Sequence, residues 1–136
     1  MQCLHANKII HRDLKPQNIF VCANQMIKVA DLGESKQLNH TIQQVNTSIG
    51  TFGFMSPEVI KGADYSMKSD IYSLGALLYY MCTQGTTPDV TEAYKPIDEA
   101  RFSPRLCTLV CQMLEKDPGK RPTIDLVYTE CDPSAK

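Results

Sequence analysis

The sequence predicts an α+β fold, mainly helical, built as one unit. Three observations carry this. The chain has 136 residues, which is one domain at most, and enough to bury roughly two-thirds of its unfolded surface. Its composition is 43% hydrophobic and 21% charged, as in ordinary globular domains and unlike disordered, collagenous or coiled-coil chains. Its apolar pattern also changes period. Short β-type runs come before residue 31, and helical spacing prevails after residue 69. Strands segregated from helices in this way point to α+β rather than to alternating units.

The elements follow in order. Ile9-Ile10-His11 is a brief extended run. Asn18 to Cys22 and Met26 to Ala30 are two more, rich in Ile, Val and Phe, with Ala23-Asn24-Gln25 as a hairpin turn. Without Asn-Gly, the turn type stays open. From Asp31 to about Lys61 no period is sustained, and Gly33, Gly50, Gly53, Pro57 and Gly62 punctuate the stretch. Irregular segments of this length inside a compact domain are usually functional. Ser69 to Cys82 is apolar nearly all round, as befits a core helix. A loop with Gly85, Pro88 and Pro96 follows. Ser103-Pro104 then supplies an N-cap and a first-turn proline. Leu106, Leu109, Val110, Met113 and Leu114 continue at helical spacing, and Asp117-Pro118-Gly119 ends that helix. A last helix is expected from about Thr123 to Tyr128.

Charge and cysteines exclude several functions. Fourteen basic and fifteen acidic residues give a net charge of -1, so no surplus points to nucleic acid or to an anionic membrane. No apolar run approaches the ~20 residues needed to span a bilayer, and the N-terminus lacks a signal-peptide pattern. Cytoplasm is the default expectation. The six cysteines form no Cys-x-x-Cys pair, and zinc spacing is absent. They read as reduced, small core hydrophobes, with Cys107 and Cys111 on one helix face.

The chemistry sits in a few short motifs. His11-Arg12-Asp13-Leu14-Lys15-Pro16-Gln17-Asn18 fits H-R-D-L-x-x-x-N at every fixed position. Under uniform composition such a match arises at about one starting point in three million. The spacing suits a carboxylate that takes a hydroxyl proton and an amide oxygen that reaches a metal ion from one short loop. Asp31-Leu32-Gly33 follows the third extended run, eighteen residues after Asp13. A hard cation needs oxygen ligands, and Asp31 supplies a carboxylate for it. Ser56-Pro57-Glu58 comes next, then Asp70 opening Asp-Ile-Tyr-Ser-Leu-Gly, then Lys120-Arg121-Pro122.

From about Leu4 to Val127 the chain resembles the carboxyl-terminal lobe of a eukaryotic serine/threonine protein kinase. The wording at Gln17-Asn18-Ile19-Phe20 and Met55-Ser56-Pro57-Glu58 most resembles the NIMA-related group. The resemblance implies a partial kinase-like fold: a lobe with a short β-hairpin, an activation segment (31–58) and a helical base. It implies a partial kinase domain over 1–128 and a tail over 129–136. It also implies ATP and Mg2+, a protein substrate offering Ser or Thr, and an upstream kinase.

Roles carry over residue by residue. Asp13 becomes the catalytic base, Lys15 steadies the γ-phosphate, and Thr51 hydrogen-bonds near both. Asn18 and Asp31 hold magnesium, and Phe20 lies beneath the adenine. Arg12 with Lys36 forms a basic pocket for a phosphate on Thr47; the bland alternative is a solvated loop threonine. His11 packs in the core without a proton-transfer role, and Leu32 is an apolar plug. Glu58 and Arg121 form a buried ion pair, and Asp70 holds the backbone of the catalytic loop.

No G-x-G-x-x-G and no Val-Ala-Ile-Lys strand occurs in the chain. The phosphate-covering loop and the lysine that contacts the α- and β-phosphates are therefore expected outside it. So is most of the helix before His11, which should leave part of the 69–82 helix uncovered. The expected function is phosphoryl transfer from ATP to a protein Ser/Thr hydroxyl, with little or no turnover from these residues alone. The alternatives are a non-catalytic lobe acting as a binding module, or a fragment that does not fold by itself.

Overall fold

The computed structural model describes residues 1–34, 36–37 and 52–132. In chain order the elements are α1 (Gln2–Ala6), β1 (Ile9–Ile10), β2 (Ile19–Val21), β3 (Ile27–Val29), β4 (Lys36–Gln37), α2 (Pro57–Ile60), α3 (Met67–Cys82), α4 (Pro104–Met113) and α5 (Ile124–Cys131). Short 3-10 turns lie at Pro16–Asn18, Leu32–Glu34, Phe52–Phe54 and Pro118–Lys120. Two antiparallel pairs form, β1 with β4 and β2 with β3. The α+β, mainly helical expectation holds.

Hairpin β2–β3 pairs Ile19 with Val29, Phe20 with Lys28 and Val21 with Ile27. Its turn closes through Gln25, whose φ of 62° lies in the left-handed region. The Cys22 N–H donates to the Met26 carbonyl at 2.8 Å. A three-residue loop with a left-handed last residue is a common hairpin solution, which settles the turn that the sequence left open.

Helix α3 starts at Met67, earlier than the expected Ser69. The reason is a capping box: Ser66 Oγ accepts from the Ser69 N–H, and Ser69 Oγ accepts from the Ser66 N–H. The helix runs through the centre of the molecule. One side packs Tyr72, Ala76, Tyr79 and Cys82 against Cys107, Val110 and Leu114 of the α4 segment and against Ile97 of the long loop. The other packs Ile71 with Leu109, Met113, Ile124 and Val127. Gly75 permits this approach, since a Cβ there would sit 2.7 Å from the Met113 Cβ. The loop before α4 is pinned by Tyr79 Oη, which donates to the Lys95 carbonyl at 3.1 Å, and by Tyr94 Oη, which donates to the Leu114 carbonyl at 2.9 Å.

Further expectations change. Helix α4 ends at Met113, with Leu114 as its cap, before the Asp117-Pro118-Gly119 turn. Helix α1 was not foreseen; five residues carry no periodic signal, and tertiary packing sustains the helix. The 31–61 stretch is not wholly structureless, since it holds β4, α2 and two 3-10 turns. Helix α5 continues past Tyr128 to Cys131. It stops at Asp132, which is extended at ψ 115° because Pro133 follows it. The cysteines do not all serve as core. Cys82 and Cys107 are buried, but Cys3, Cys111 and Cys131 are exposed. Four residues along a helix turn about 40° past a full circle. That rotation carries Cys111 beyond the buried arc of Cys107, Leu109, Val110 and Met113.

Apolar surface is uncovered on α3 and on the hairpin. In α3, Met67, Leu74, Leu78 and Tyr80 are half-buried and Met81 is 61% exposed. On the β2–β3 hairpin and just after it, Phe20, Val21, Met26, Ile27 and Leu32 are exposed. Among the described residues, no helix is long and apolar enough to cross a membrane.

Candidate functional site

Strand β1 delivers the chain into a tight, largely buried loop. His11 is fully buried. Its Nδ1 accepts the Asp13 N–H at 3.3 Å, so Nε2 carries the proton and donates to the Ala30 carbonyl at 3.2 Å. Arg12 has a φ of 75°, a conformation disfavoured for a residue with a Cβ. Asp70, in the first turn of α3, stabilises it from both sides. Asp70 Oδ2 accepts the His11 N–H at 2.8 Å and Oδ1 accepts the Arg12 N–H at 3.0 Å. A buried carboxylate needs such partners, and a left-handed turn persists only where its surroundings over-determine it.

Asp13 emerges from this turn. Its Oδ2 meets Lys15 Nζ at 2.6 Å and accepts from Asn18 Nδ2 at 3.0 Å. Asn18 Nδ2 also donates to the Asp13 carbonyl at 2.8 Å. That commits the nitrogen end of the amide to Asp13. Among the described residues, Asn18 Oδ1 accepts no hydrogen bond. The Ala30 N–H donates to the Asn18 carbonyl at 2.8 Å, which extends the β2–β3 ladder by one residue pair. Asp31 therefore stands beside Asn18 at the same hairpin end. Asp31 has a φ of 62°, and its Oδ1 accepts the Gly33 N–H at 3.2 Å. Aspartate tolerates this region because its short side chain bonds locally.

The arrangement fits a nucleotide-bound divalent cation in donor type. It offers an amide oxygen and a carboxylate, both hard oxygen donors, beside a lysine and a second carboxylate. Among the described residues, no group of three His, Cys, Asp or Glu side chains could hold a metal ion. A cation here would thus need ligands from the nucleotide or water, as Mg2+ commonly does.

The remaining predicted residues are scattered around this loop. Phe20 is 55% exposed on β2, and Leu32, read as a plug, is 53% exposed with no described element packed over it. The Arg12 guanidinium carbon lies 5.3 Å from the centre of the Tyr65 ring, and among the described residues its Nε has no hydrogen-bond partner. Burial pushes the Tyr65 hydroxyl up to about 12, against the pull of Arg12. Thr47, Thr51 and the side chain of Lys36 lie outside the described residues.

A second centre braces the site from below. Arg121 donates from both terminal nitrogens to the two Glu58 oxygens, each at 2.7 Å. Its Nε donates to the Glu115 carbonyl at 2.7 Å, and Nη1 also donates to the Lys68 carbonyl at 2.8 Å. The guanidinium lies 5.0 Å from the Tyr72 ring centre. Ser69 Oγ adds a bond to Glu58 at 3.0 Å. Partial burial pushes the Glu58 carboxyl up, but its hydrogen bonds, those with Arg121 foremost, and the guanidinium charge together outweigh that and hold it at about 2. Lys68 Nζ donates to the Arg121 carbonyl.

Sequence reasoning overlooked His5 and the α2–α3 contacts of Ser69. His5 Nε2 lies 3.0 Å from Asp70 Oδ2, and the two residues are sixty-five positions apart. No local pattern signals such a pairing.

The protein kinase domain family matches residues 1–130. The chain is similar to the serine/threonine-protein kinase Nek9 of Xenopus laevis, at 36% identity over 92% of this chain and 14% of that protein. It is also similar to the human serine/threonine-protein kinase Nek5, at 35% over 91% of this chain and 19% of that one. A third relative is the mouse protein named inactive serine/threonine-protein kinase PLK5, at 34% over 92% and 22%. The chain thus spans a fifth or so, or less, of the length of these relatives.

Proposed function

The chain belongs to the protein kinase family, and on that premise we propose that it carries the phosphotransfer half of a serine/threonine kinase. The reaction moves the γ-phosphoryl group of ATP to a protein Ser or Thr hydroxyl. The observation that carries this reading is the Asp13–Lys15–Asn18 constellation, with Asp31 beside it at the hairpin end.

Each residue has a distinct task. Asp13 accepts the hydroxyl proton as the substrate oxygen bonds to phosphorus, and it orients that oxygen beforehand. Lys15 balances negative charge on the transferred group. Asn18 Oδ1 and the Asp31 carboxylate would hold Mg2+, which when bound offsets phosphate charge. Phe20 offers an apolar face to the adenine, and Thr51 supports Asp13 and Lys15. Arg12 and Lys36 would receive a phosphate placed on Thr47 by an upstream kinase. Glu58, Arg121 and Asp70 hold the frame. The kinase unit runs over 1–128 with a short tail, and the cytoplasm is its proposed setting.

A second reading is a non-catalytic lobe that binds partners. The exposed Val21 and Ile27, paired across the hairpin, favour it, since exposed apolar surface marks interaction sites. Phosphotransfer from γ-labelled ATP to a mixed Ser/Thr substrate separates the two. We expect low turnover that falls by roughly a hundredfold or more in Asp13→Asn. Turnover unchanged in that variant contradicts the base assignment. Turnover in the parent that is lost in Asp13→Asn argues against the binding module.

A further inference from the structure

We propose that a cavity between α1 and the starts of α3 and α5 binds a small neutral phenol. The cavity measures about 210 Å3, and Ala6, Met67, Ile71 and Ile124 give it apolar walls. Small-molecule sites are typically apolar hollows with a few well-placed polar groups. This one shares no residue with the Asp13–Lys15–Asn18 constellation, so it stands apart from the phosphotransfer reading.

The polar side chains at the cavity determine what it takes. Lys68 Nζ is engaged by the Arg121 carbonyl. Thr123 Oγ1 accepts the Leu126 N–H at 3.3 Å, and Asp125 Oδ1 accepts from Gln2 at 2.9 Å. His5 differs. Its Nε2 lies 3.0 Å from Asp70 Oδ2. A carboxylate only accepts, so Nε2 carries the proton, and in the neutral ring Nδ1 is then an acceptor. Among the described residues, Nδ1 has no hydrogen-bond partner. His5 is 7% exposed, yet Nδ1 is not sealed off as Arg12 Nε and Ser56 Oγ are. A buried acceptor of this kind costs free energy until it is paired.

These features select the ligand class. A water beside Nδ1 would need several polar partners, and the apolar walls offer none. An aromatic ring suits the walls, since apolar cavities of ~150 Å3 hold benzene. One hydroxyl on that ring donates to Nδ1. Lys68 and Asp125 bring opposite charges to the cavity, which favours a ligand that carries none.

NMR titration of the purified chain tests this, with phenol as the probe and benzene as the same ring without a donor. Phenol should shift the Ala6, Ile71 and Ile124 amides and the His5 ring nitrogens together. The shifts should saturate with a dissociation constant of about 1 mM, the scale for so small a ligand. Benzene should shift the same amides and leave the His5 ring nitrogens in place. Ala6→Leu on α1 and Met67→Phe on α3 each fill the cavity and should abolish the shifts. Unmoved Tyr72 and Val110 amides mark an intact core in these variants; if one does not fold, the other decides.

Shifts that never saturate, or that fall on Val21 and Ile27 of the hairpin instead, would overturn the proposal. So would His5 nitrogens that stay fixed under phenol, or binding that survives in a folded cavity-filling variant.

Discussion

At the scale of single residues, the molecule depends on a buried arginine whose donors are all engaged. Arg121 is 2% exposed, and its five hydrogen bonds run to Glu58 and three backbone carbonyls. Removing one partner of a buried pair leaves an uncompensated charge. Glu58→Gln should therefore destabilise the chain by about 3 kcal/mol, read as a lower urea midpoint at unchanged slope. The pH dependence has a definite sign. Glu58 titrates at about 2 in the folded chain against an ordinary 4.5. Its contribution is complete above 4.5 and is lost as pH falls toward 2. Acid titration of stability should be shallower in Glu58→Gln over that window; an identical slope in both proteins would show that Glu58 is not linked to folding. Asp13, Asn18, Glu58 and Arg121 could all be named from motifs. His5 could not, because its partner is set by how α1 packs, and α1 is too short to leave a pattern.

At the scale of elements, α3 and α4 hold the site in place. Their contact depends on Gly75, and Gly75→Ala forces a methyl group against the Met113 Cβ at 2.7 Å. Overpacking of this sort should cost about 1–3 kcal/mol despite alanine's better helix propensity. A thermal midpoint equal to the parent's would show that the helices part freely. Ser103 caps α4 by accepting the Leu106 N–H, and Ser103→Ala should cost about 1 kcal/mol in the same measurement. Legibility tracked the strength of the local signal. The start of helix α4 was readable to the residue because an N-cap and a proline coincide, but its end was not: it stops at Met113, before the Asp117-Pro118-Gly119 turn expected to end it. The start of α3 slipped because its cap, Ser66, bonds to a second serine where the usual sequence signature has Glu or Gln. The stretch after Asp31 stayed opaque because its order comes from distant partners, such as β1 for β4 and Arg121 for the start of α2.

At the scale of the whole molecule, the apolar surface is unevenly spent. Both helical clusters are buried, while Val21 and Ile27, paired across β2–β3, are 72% and 66% exposed. The double change Val21→Thr with Ile27→Thr should lower binding of an apolar fluorescent dye. It should leave helical circular dichroism unchanged, since threonine keeps the strand propensity. Undiminished dye binding would place the accessible apolar surface elsewhere. The proposed magnesium–nucleotide site is made by one hairpin end and one buried turn. Calorimetric titration of ATP into the purified chain, with and without Mg2+, tests it most directly. Saturable binding that requires Mg2+ and disappears in Asp31→Ala is the expected result. Binding that is indifferent to Mg2+, or that survives Asp31→Ala intact, would contradict it.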